Sequence, residues 1–302
     1  MRVVDLFAGA GGFSEGAKQA GCKVVWAANH WSDAVDIHSM NHPETVHSCQ
    51  DLQQADFQVI PEYDVLLASP ACQGHSNARG KEQPRHDAAR STAWAVVSCV
   101  EATRPKAFVV ENVVEFTKWT LFPEWQRCLE KLGYSMAINI LNAKDFQVAQ
   151  SRVRVFITGS RVGNALEVKV PTNPVVSFCD IMEKGTSTGW VNIADKARST
   201  FEQWKRGVPV HGDRFLLAYY GSEKCGRSLH KPLGTVTTKE RFAIADNGKM
   251  RLLTKNEYVK AMGFPESYIL PKSKAKSIHM LGNAVCPPVA ASILTQLKEE
   301  LC

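Results

Sequence analysis

Val3-Val4-Asp5-Leu6-Phe7-Ala8-Gly9-Ala10-Gly11-Gly12-Phe13 opens the chain as an apolar strand running straight into a glycine-rich loop. Glycine lets backbone approach a ligand closely, and this loop leads into a helix predicted over 13–20, whose N-terminus favours negative groups. Two later apolar runs also end in reactive residues. Val65-Leu66-Leu67 leads through Ala68-Ser69-Pro70-Ala71 to Cys72, and Phe108-Val109-Val110 ends in Glu111-Asn112. In an open parallel sheet the carboxyl ends of the strands share one edge, where ligands bind. A glycine loop, a thiol and a carboxylate then face one crevice, the arrangement of a cofactor enzyme with a covalent cysteine step.

Working outward, the first half alternates β-rich runs with helical patterns. Strands are expected at 2–7, 23–28, 64–68 and 107–111, and helices at 13–20, 32–40, 88–103 and 123–132. Gly21 and Gly133 follow helices where a left-handed cap is wanted. Alternation of this length predicts an α/β fold, a doubly wound, mostly parallel sheet, with further strands at 134–142 and 153–159. After residue 160 the rhythm is lost. Pro171, Pro174, Pro209 and Pro232, with Gly185, Gly189, Gly207 and Gly212, punctuate a smaller irregular module. Helix returns at 254–262 and again at 287–300, with Pro287 and Pro288 at its start. The expected domains are 1–160 and 161–250, with 251–302 returning to complete the first.

A chain of 302 residues with 44% apolar and 22% charged residues suits a globular protein of one large domain and one small. No apolar stretch is expected to reach the roughly 20 residues that span a bilayer. Nine cysteines, an odd number without a Cys-x-x-Cys pair, argue against disulfide frameworks and zinc and for a reducing cytoplasm. His38, His42 and His47 lie close in sequence, but Pro43 breaks any helix that would align them, so no metal is expected. Charge is divided unevenly: residues 1–150 carry 13 Lys and Arg against 17 Asp and Glu, and residues 151–302 carry 23 against 13. A basic second half is the electrostatic footprint of a polyanionic partner.

These stretches resemble the DNA cytosine-5 methyltransferase family. The matching runs are Asp5 to Phe13, Pro70-Ala71-Cys72-Gln73, Glu111-Asn112-Val113, Gln150-Ser151-Arg152-Val153-Arg154 and Gly282-Asn283-Ala284-Val285. They stand in the family's order and nearly span the chain. The resemblance implies S-adenosyl-L-methionine as cofactor, lined by Phe7, Gly9, Gly11 and Gly12, with Asn283 supplied by the returning C-terminal segment. It places Trp31 near the adenine and Asp51 at its amino group. The family's acid at the ribose is replaced here by His30, whose neutral imidazole still hydrogen-bonds a hydroxyl.

The resemblance makes Cys72 the nucleophile. Carbon 5 of cytosine is too poor a nucleophile to take a sulfonium methyl directly, and thiolate addition at carbon 6 makes it enamine-like. The family's proline before this cysteine is Ala71 here, with Pro70 one position earlier. Glu111 is expected to hold the base at N3, helped by burial that raises its pKa. Arg154 matches the arginine at the base oxygen, and Arg152 is placed for the base or a phosphate.

For duplex DNA the expected contacts are Arg79 and Lys81 on the loop after Cys72, and Thr235, Thr237, Lys239 and Arg241 in the basic module. A base modified in duplex must leave the stack. The whole reading is a bacterial or phage DNA cytosine-5 methyltransferase, cytoplasmic, monomeric, using no metal and no membrane, with a cognate restriction endonuclease as a possible host partner. The alternatives are a transfer-RNA cytosine-5 methyltransferase, or a catalytically silent DNA-binding protein of the same fold.

Overall fold

The computed structural model describes residues 1–71, 91–185, 189–219 and 224–301. The chain forms two compact units, one of Met1–Phe146, Val153–Thr172 and Ala284–Cys302, the other of Gln147–Arg152 and Asn173–Asn283.

The first unit is built on a seven-stranded sheet in the order β3-β2-β1-β4-β5-β7-β6. Its strands are β1 (Arg2–Leu6), β2 (Lys23–Asn29), β3 (Val46–Cys49), β4 (Val65–Ala68), β5 (Ala107–Asn112), β6 (Ser135–Asn142) and β7 (Val153–Ser160). The first five run parallel, and β7 enters antiparallel between β5 and β6. Described helices are α1 (Gly12–Gln19), α2 (Ser32–Asn41), α3 (Ala93–Thr103) and α4 (Phe122–Lys131). The fold class is α/β with a doubly wound, mostly parallel sheet.

The burial pattern explains why β1, β4 and β5 were readable. Val3 to Leu6, Val65 to Ala68 and Ala107 to Asn112 are buried, as expected of central strands covered on both faces. The edge strand β3 has none of that signal. Its sequence Val46-His47-Ser48-Cys49 is partly exposed throughout, and only its pairing with β2 defines it. Large aromatic side chains, Phe108, Phe116 and Trp125, fill the core on one face. The Trp125 indole donates to the Ala93 carbonyl at 2.9 Å, so its one polar atom is satisfied.

The second unit carries a four-stranded antiparallel sheet, β8-β11-β10-β9, of Val191–Asn192, Lys249–Leu252, Phe242–Asp246 and Arg214–Ala218. The sequence showed no periodicity here because the strands have two to five residues and β10 is almost wholly buried. Its helices are α5 (Phe178–Ile181), α6 (Arg198–His211), α7 (Lys255–Ala261) and α8 (Lys274–Asn283), while α9 (Pro287–Leu301) belongs to the first unit. Helix α6 packs on β9, where Gly207 faces the Phe215 ring: an added Cβ would lie 2.3 Å from it. The expected module of 161–250 thus differs from the compact unit, which runs on to Asn283. One reason is the buried pair Arg251–Glu257 at 2.7 Å, which ties α7 to β11. Thr254 also caps α7, accepting from the Glu257 amide at 3.0 Å.

The stretch Lys274–Leu301 is long and apolar enough to cross a membrane by length and composition, contrary to expectation, but 67% of its most apolar window is buried inside the protein. Part of that burial is α9 against α1, where a Cβ on Gly16 would lie 2.5 Å from that of Ala290.

Candidate active site

The strand order reverses direction at β1, whose neighbours are β2 on one side and β4 on the other. Ligands of doubly wound sheets bind at this point, beyond the carboxyl ends. Phe7 follows β1 with φ 60°, and Gly9 and Gly11 have φ 54° and 83°. The loop is closed by the Gly11 amide donating to the Ala8 carbonyl at 2.8 Å, and is anchored to β2 by the Ala8 amide donating to Ala28 at 3.0 Å. The glycines serve different ends. Among the described residues a Cβ at Gly9 would meet only the Phe7 carbonyl, at 3.7 Å, whereas one at Gly12 would lie 2.1 Å from the Val285 carbonyl. Gly9 opens a cradle, and Gly12 lets α1 close on the segment leading into α9.

Beyond β2, exposed His30 and half-buried Trp31 begin the turn into α2. The Trp31 amide donates to Asn29 Oδ1 at 2.9 Å. Asp51 follows β3 after the Gln50 amide donates to the Asn29 carbonyl at 3.1 Å. The exposed Asp51 carboxylate accepts from the Gln53 amide at 3.0 Å, which fixes the turn and leaves its other oxygen available. These residues suit a cofactor with a carboxylate at one end and an adenosine at the other. The loop offers backbone amides at a helix N-terminus, Gly9 makes room, and an aromatic and an acid follow neighbouring strands.

Across the switch point, the chain leaving β4 is pinned immediately before Cys72. The Asn112 amide donates to the Pro70 carbonyl at 3.1 Å, and the Ala71 amide donates to Thr92 Oγ1 at 3.1 Å. Asn112 thus holds this loop, and its own Oδ1 accepts from the Val113 amide at 2.9 Å. Beside it stands Glu111, 3.2 Å from Arg154 Nε, with side chains 8% and 18% exposed. The register explains the pair: Glu111 on β5 faces Phe156 on β7, two residues from Arg154. Cys72, Arg79 and Lys81 lie outside the described residues.

Arg152 is not on the strand with Arg154. β7 begins at Val153, and Arg152 belongs to the second unit. There it is buried and donates to the carbonyls of Val236 and Gly282, each at 3.0 Å. Gln150 joins the same brace, accepting from the Val236 amide at 2.7 Å and donating to the Ala261 carbonyl at 3.1 Å. The Thr235–Arg241 run is therefore an anchored loop, not a strand. Thr235 donates to the Ser151 carbonyl at 3.0 Å, Thr237 to that of Lys239 at 3.2 Å, and Arg241 to that of Tyr219 at 3.2 Å. Lys239 is exposed and Asn283 ends α8, also exposed. Sequence reasoning missed the bracing of this loop by Gln150 and Arg152, since residues more than 80 positions apart leave no local signal.

Among the described residues no group of His, Cys, Asp and Glu is arranged to hold a metal ion, and the seven described cysteines are unbridged.

Comparison with known proteins bears on this geometry. The Type II methyltransferase M.NlaX of Neisseria lactamica is 28% identical over 309 residues, covering 100% of this chain and 97% of that protein. The Type II methyltransferase M.HpaII of Haemophilus parainfluenzae is 27% identical, covering 99% and 89%. Among solved structures, the S. pombe Dnmt2 methyltransferase superposes with a TM-score of 0.73 at 18% identity, covering 100% of this chain and 99% of that one. The Entamoeba histolytica methyltransferase EhMeth gives 0.71 at 19%, with the same coverage. Residues 1–299 match the C-5 cytosine-specific DNA methylase family. The chain belongs to that family and is a DNA cytosine-5-methyltransferase.

Proposed function

We propose that this enzyme moves a methyl group from S-adenosyl-L-methionine to carbon 5 of a cytosine flipped out of duplex DNA, through a covalent bond from Cys72 to carbon 6. The observation that carries this reading is the pair Glu111–Arg154 beside the pinned Pro70–Ala71 segment. It sets a carboxyl group and a guanidinium at the strand end next to the one that delivers the thiol.

The bound cofactor supplies an electrophilic methyl on a sulfonium. Everything else falls to the chain and the base. Phe7, Gly9 and Gly11 shape the loop that receives the methionine end, and Trp31, His30 and Asp51 receive the adenosine. Cys72 as thiolate adds to carbon 6, and the electron pair moves to carbon 5 while Glu111 donates a hydrogen bond or proton at N3. Arg154 holds Glu111 and binds the base oxygen. After transfer, loss of the carbon 5 proton returns the electrons to the ring and expels the thiolate. Arg152 takes a positioning role, bracing the threonine loop, rather than touching the base. Gly12 likewise acts by packing. Arg79 and Lys81 are assigned to phosphates near the flipped base, and Asn283 to the cofactor.

The decisive experiment offers duplex DNA and transfer RNA separately with labelled methyl donor. Label entering only duplex DNA, and mapping to cytosine by bisulfite sequencing, is expected; label entering transfer RNA alone would overturn the substrate assignment.

His30 gives a second test. If its imidazole bonds a ribose hydroxyl, His30→Ala weakens cofactor affinity by about 1–2 kcal/mol, the scale of one lost hydrogen bond. The rate at saturating cofactor stays near wild type. Calorimetry showing unchanged affinity would assign the ribose to another group.

The basic second unit is assigned to reading DNA, with Thr235, Thr237, Lys239 and Arg241 near the target. Lys239→Ala is expected to weaken binding to all sequences and to reduce the salt slope by about one counterion. Arg241→Ala is expected to relax one target position by roughly 1–3 kcal/mol, the discrimination of a good bidentate contact. A randomised duplex library profiled at two salt concentrations measures both. If neither variant moves specificity or slope, the threonine loop is structural.

A further inference from the structure

A hydrogen-bonded chain of four side chains runs under the proposed cofactor site. Ser14 donates to Asp5 Oδ2 at 2.7 Å, His38 Nε2 lies 2.9 Å from Ser14 Oγ, and His47 Nε2 lies 2.8 Å from His38 Nδ1. Asp5, Ser14 and His38 are almost completely buried.

The direction of the bonds follows from counting protons. Ser14 has one hydroxyl proton and gives it to Asp5, so it accepts from His38 Nε2–H. His38 Nδ1 is then bare and accepts from His47 Nε2–H. Burial, with His42 and His47 adding repulsion, holds His38 well below the usual imidazole range, which keeps it in this neutral form. At the far end Asp5 Oδ1 is buried with no hydrogen-bond partner, and burial pushes the Asp5 carboxyl up to about 7, against the lowering effect of Ser14. Ser14 is the described hydrogen-bond donor to that carboxyl, and His38 orients Ser14.

Each member sits on an element that delivers a cofactor-site residue. Asp5 is on β1, which runs into Phe7 and Gly9, and Ser14 is in the first turn of α1, capped by Gly11. His38 is on α2, which starts just after His30 and Trp31, and His47 is on β3, which ends two residues before Asp51. His38 thereby links the half of the site that takes the methionine end to the half that takes the adenosine.

We propose that His38 is a positioning residue for cofactor binding: through Ser14 and Asp5 it sets the glycine loop against the Trp31 side of the site. This rests on the cofactor pocket assigned above. The side chain touches no cofactor atom and acts through its two hydrogen bonds. A histidine is suited to the task because its two ring nitrogens, one accepting and one donating, relay a bond across the ring.

The test compares His38→Leu, Ser14→Ala and His38→Gln by calorimetry with S-adenosyl-L-methionine, by steady-state rate and by thermal melting. Loss of the His38–Ser14 bond is expected to weaken cofactor affinity about tenfold in His38→Leu and Ser14→Ala, while kcat at saturating cofactor stays within about twofold. Glutamine reaches Ser14 with an amide N–H, so His38→Gln is expected to recover most of the affinity. Ser14→Ala removes a single oxygen and keeps the inference testable if His38→Leu fails to fold. Variants that melt lower yet bind with wild-type affinity would overturn the proposal, as would a glutamine variant as weak as leucine. Trp31→Ala separates this failure from failure of the pocket itself. If Trp31→Ala loses affinity while the His38 and Ser14 variants do not, only the positioning role falls; if Trp31→Ala also binds normally, the pocket assignment falls with it.

Discussion

Cys72→Ala is expected to abolish methyl transfer while leaving cofactor affinity within about twofold of wild type. The size of the effect follows from the reaction. Without addition at carbon 6 the base has no enamine character, and covalent activation of this kind is worth several orders of magnitude. Cofactor affinity is spared because the thiol acts on the base. Trapping is the sharper measurement: 5-fluorocytosine in duplex DNA carries fluorine where a proton must leave, so a wild-type complex should survive denaturing electrophoresis and the Cys72→Ala complex should not. Residual methylation in the alanine variant, or trapping without the thiol, would sink the covalent route. The pinning of Pro70 by Asn112 and of Ala71 by Thr92 makes a related point. The two residues before the thiol are held by side chains from other elements, so the Ala71 found in place of proline does not leave that stretch unanchored.

How much of this was legible depended on whether the signal was local. β1, β4 and β5 announce themselves because buried central strands must be continuously apolar, and the glycines after β1 because positive φ at Gly9 and Gly11 excludes most residues. β3 was missed because an edge strand needs no apolar run. The different settings of Arg152 and Arg154 were out of reach of a local reading. Alternation puts two side chains on one face only if both lie on a strand, and Arg152 lies before β7, where Gln150 and Ser151 bridge to Leu233 instead. The boundary expected at 250 stands where helical periodicity returns, whereas the compact unit runs on to Asn283. The buried Arg251–Glu257 pair, six residues apart, ties α7 to β11, whose residues Lys249–Leu252 straddle that position. The relay through His38 was out of reach. Three histidines, His38 and His47 of the relay among them, stood out as a cluster, but what orders His38 is Ser14, 24 positions away and silent in the sequence.

Glu111→Gln is expected to lower the single-turnover rate by about 10²–10⁴, the usual contribution of a positioned general acid, with little loss of stability. Glutamine is nearly isosteric, and its carbonyl can still accept from Arg154 Nε, now 3.2 Å from the carboxylate. What it cannot do is give a proton to N3 as the ring gains electrons. Arg154→Ala tests the other half of the pair and should look different. It removes the guanidinium 3.2 Å from a carboxylate with 8% exposure, and breaking such a pair from one side costs up to about 3–5 kcal/mol. That variant should lose rate and much of its melting temperature, whereas Glu111→Gln, which keeps a hydrogen-bond acceptor for Arg154, should lose mainly rate. Stopped-flow or quench methylation of a saturating duplex, set beside calorimetric melting of each variant, separates the two effects. A Glu111→Gln enzyme that turns over at the wild-type rate would remove the carboxyl from the chemistry and leave it a purely structural partner of Arg154.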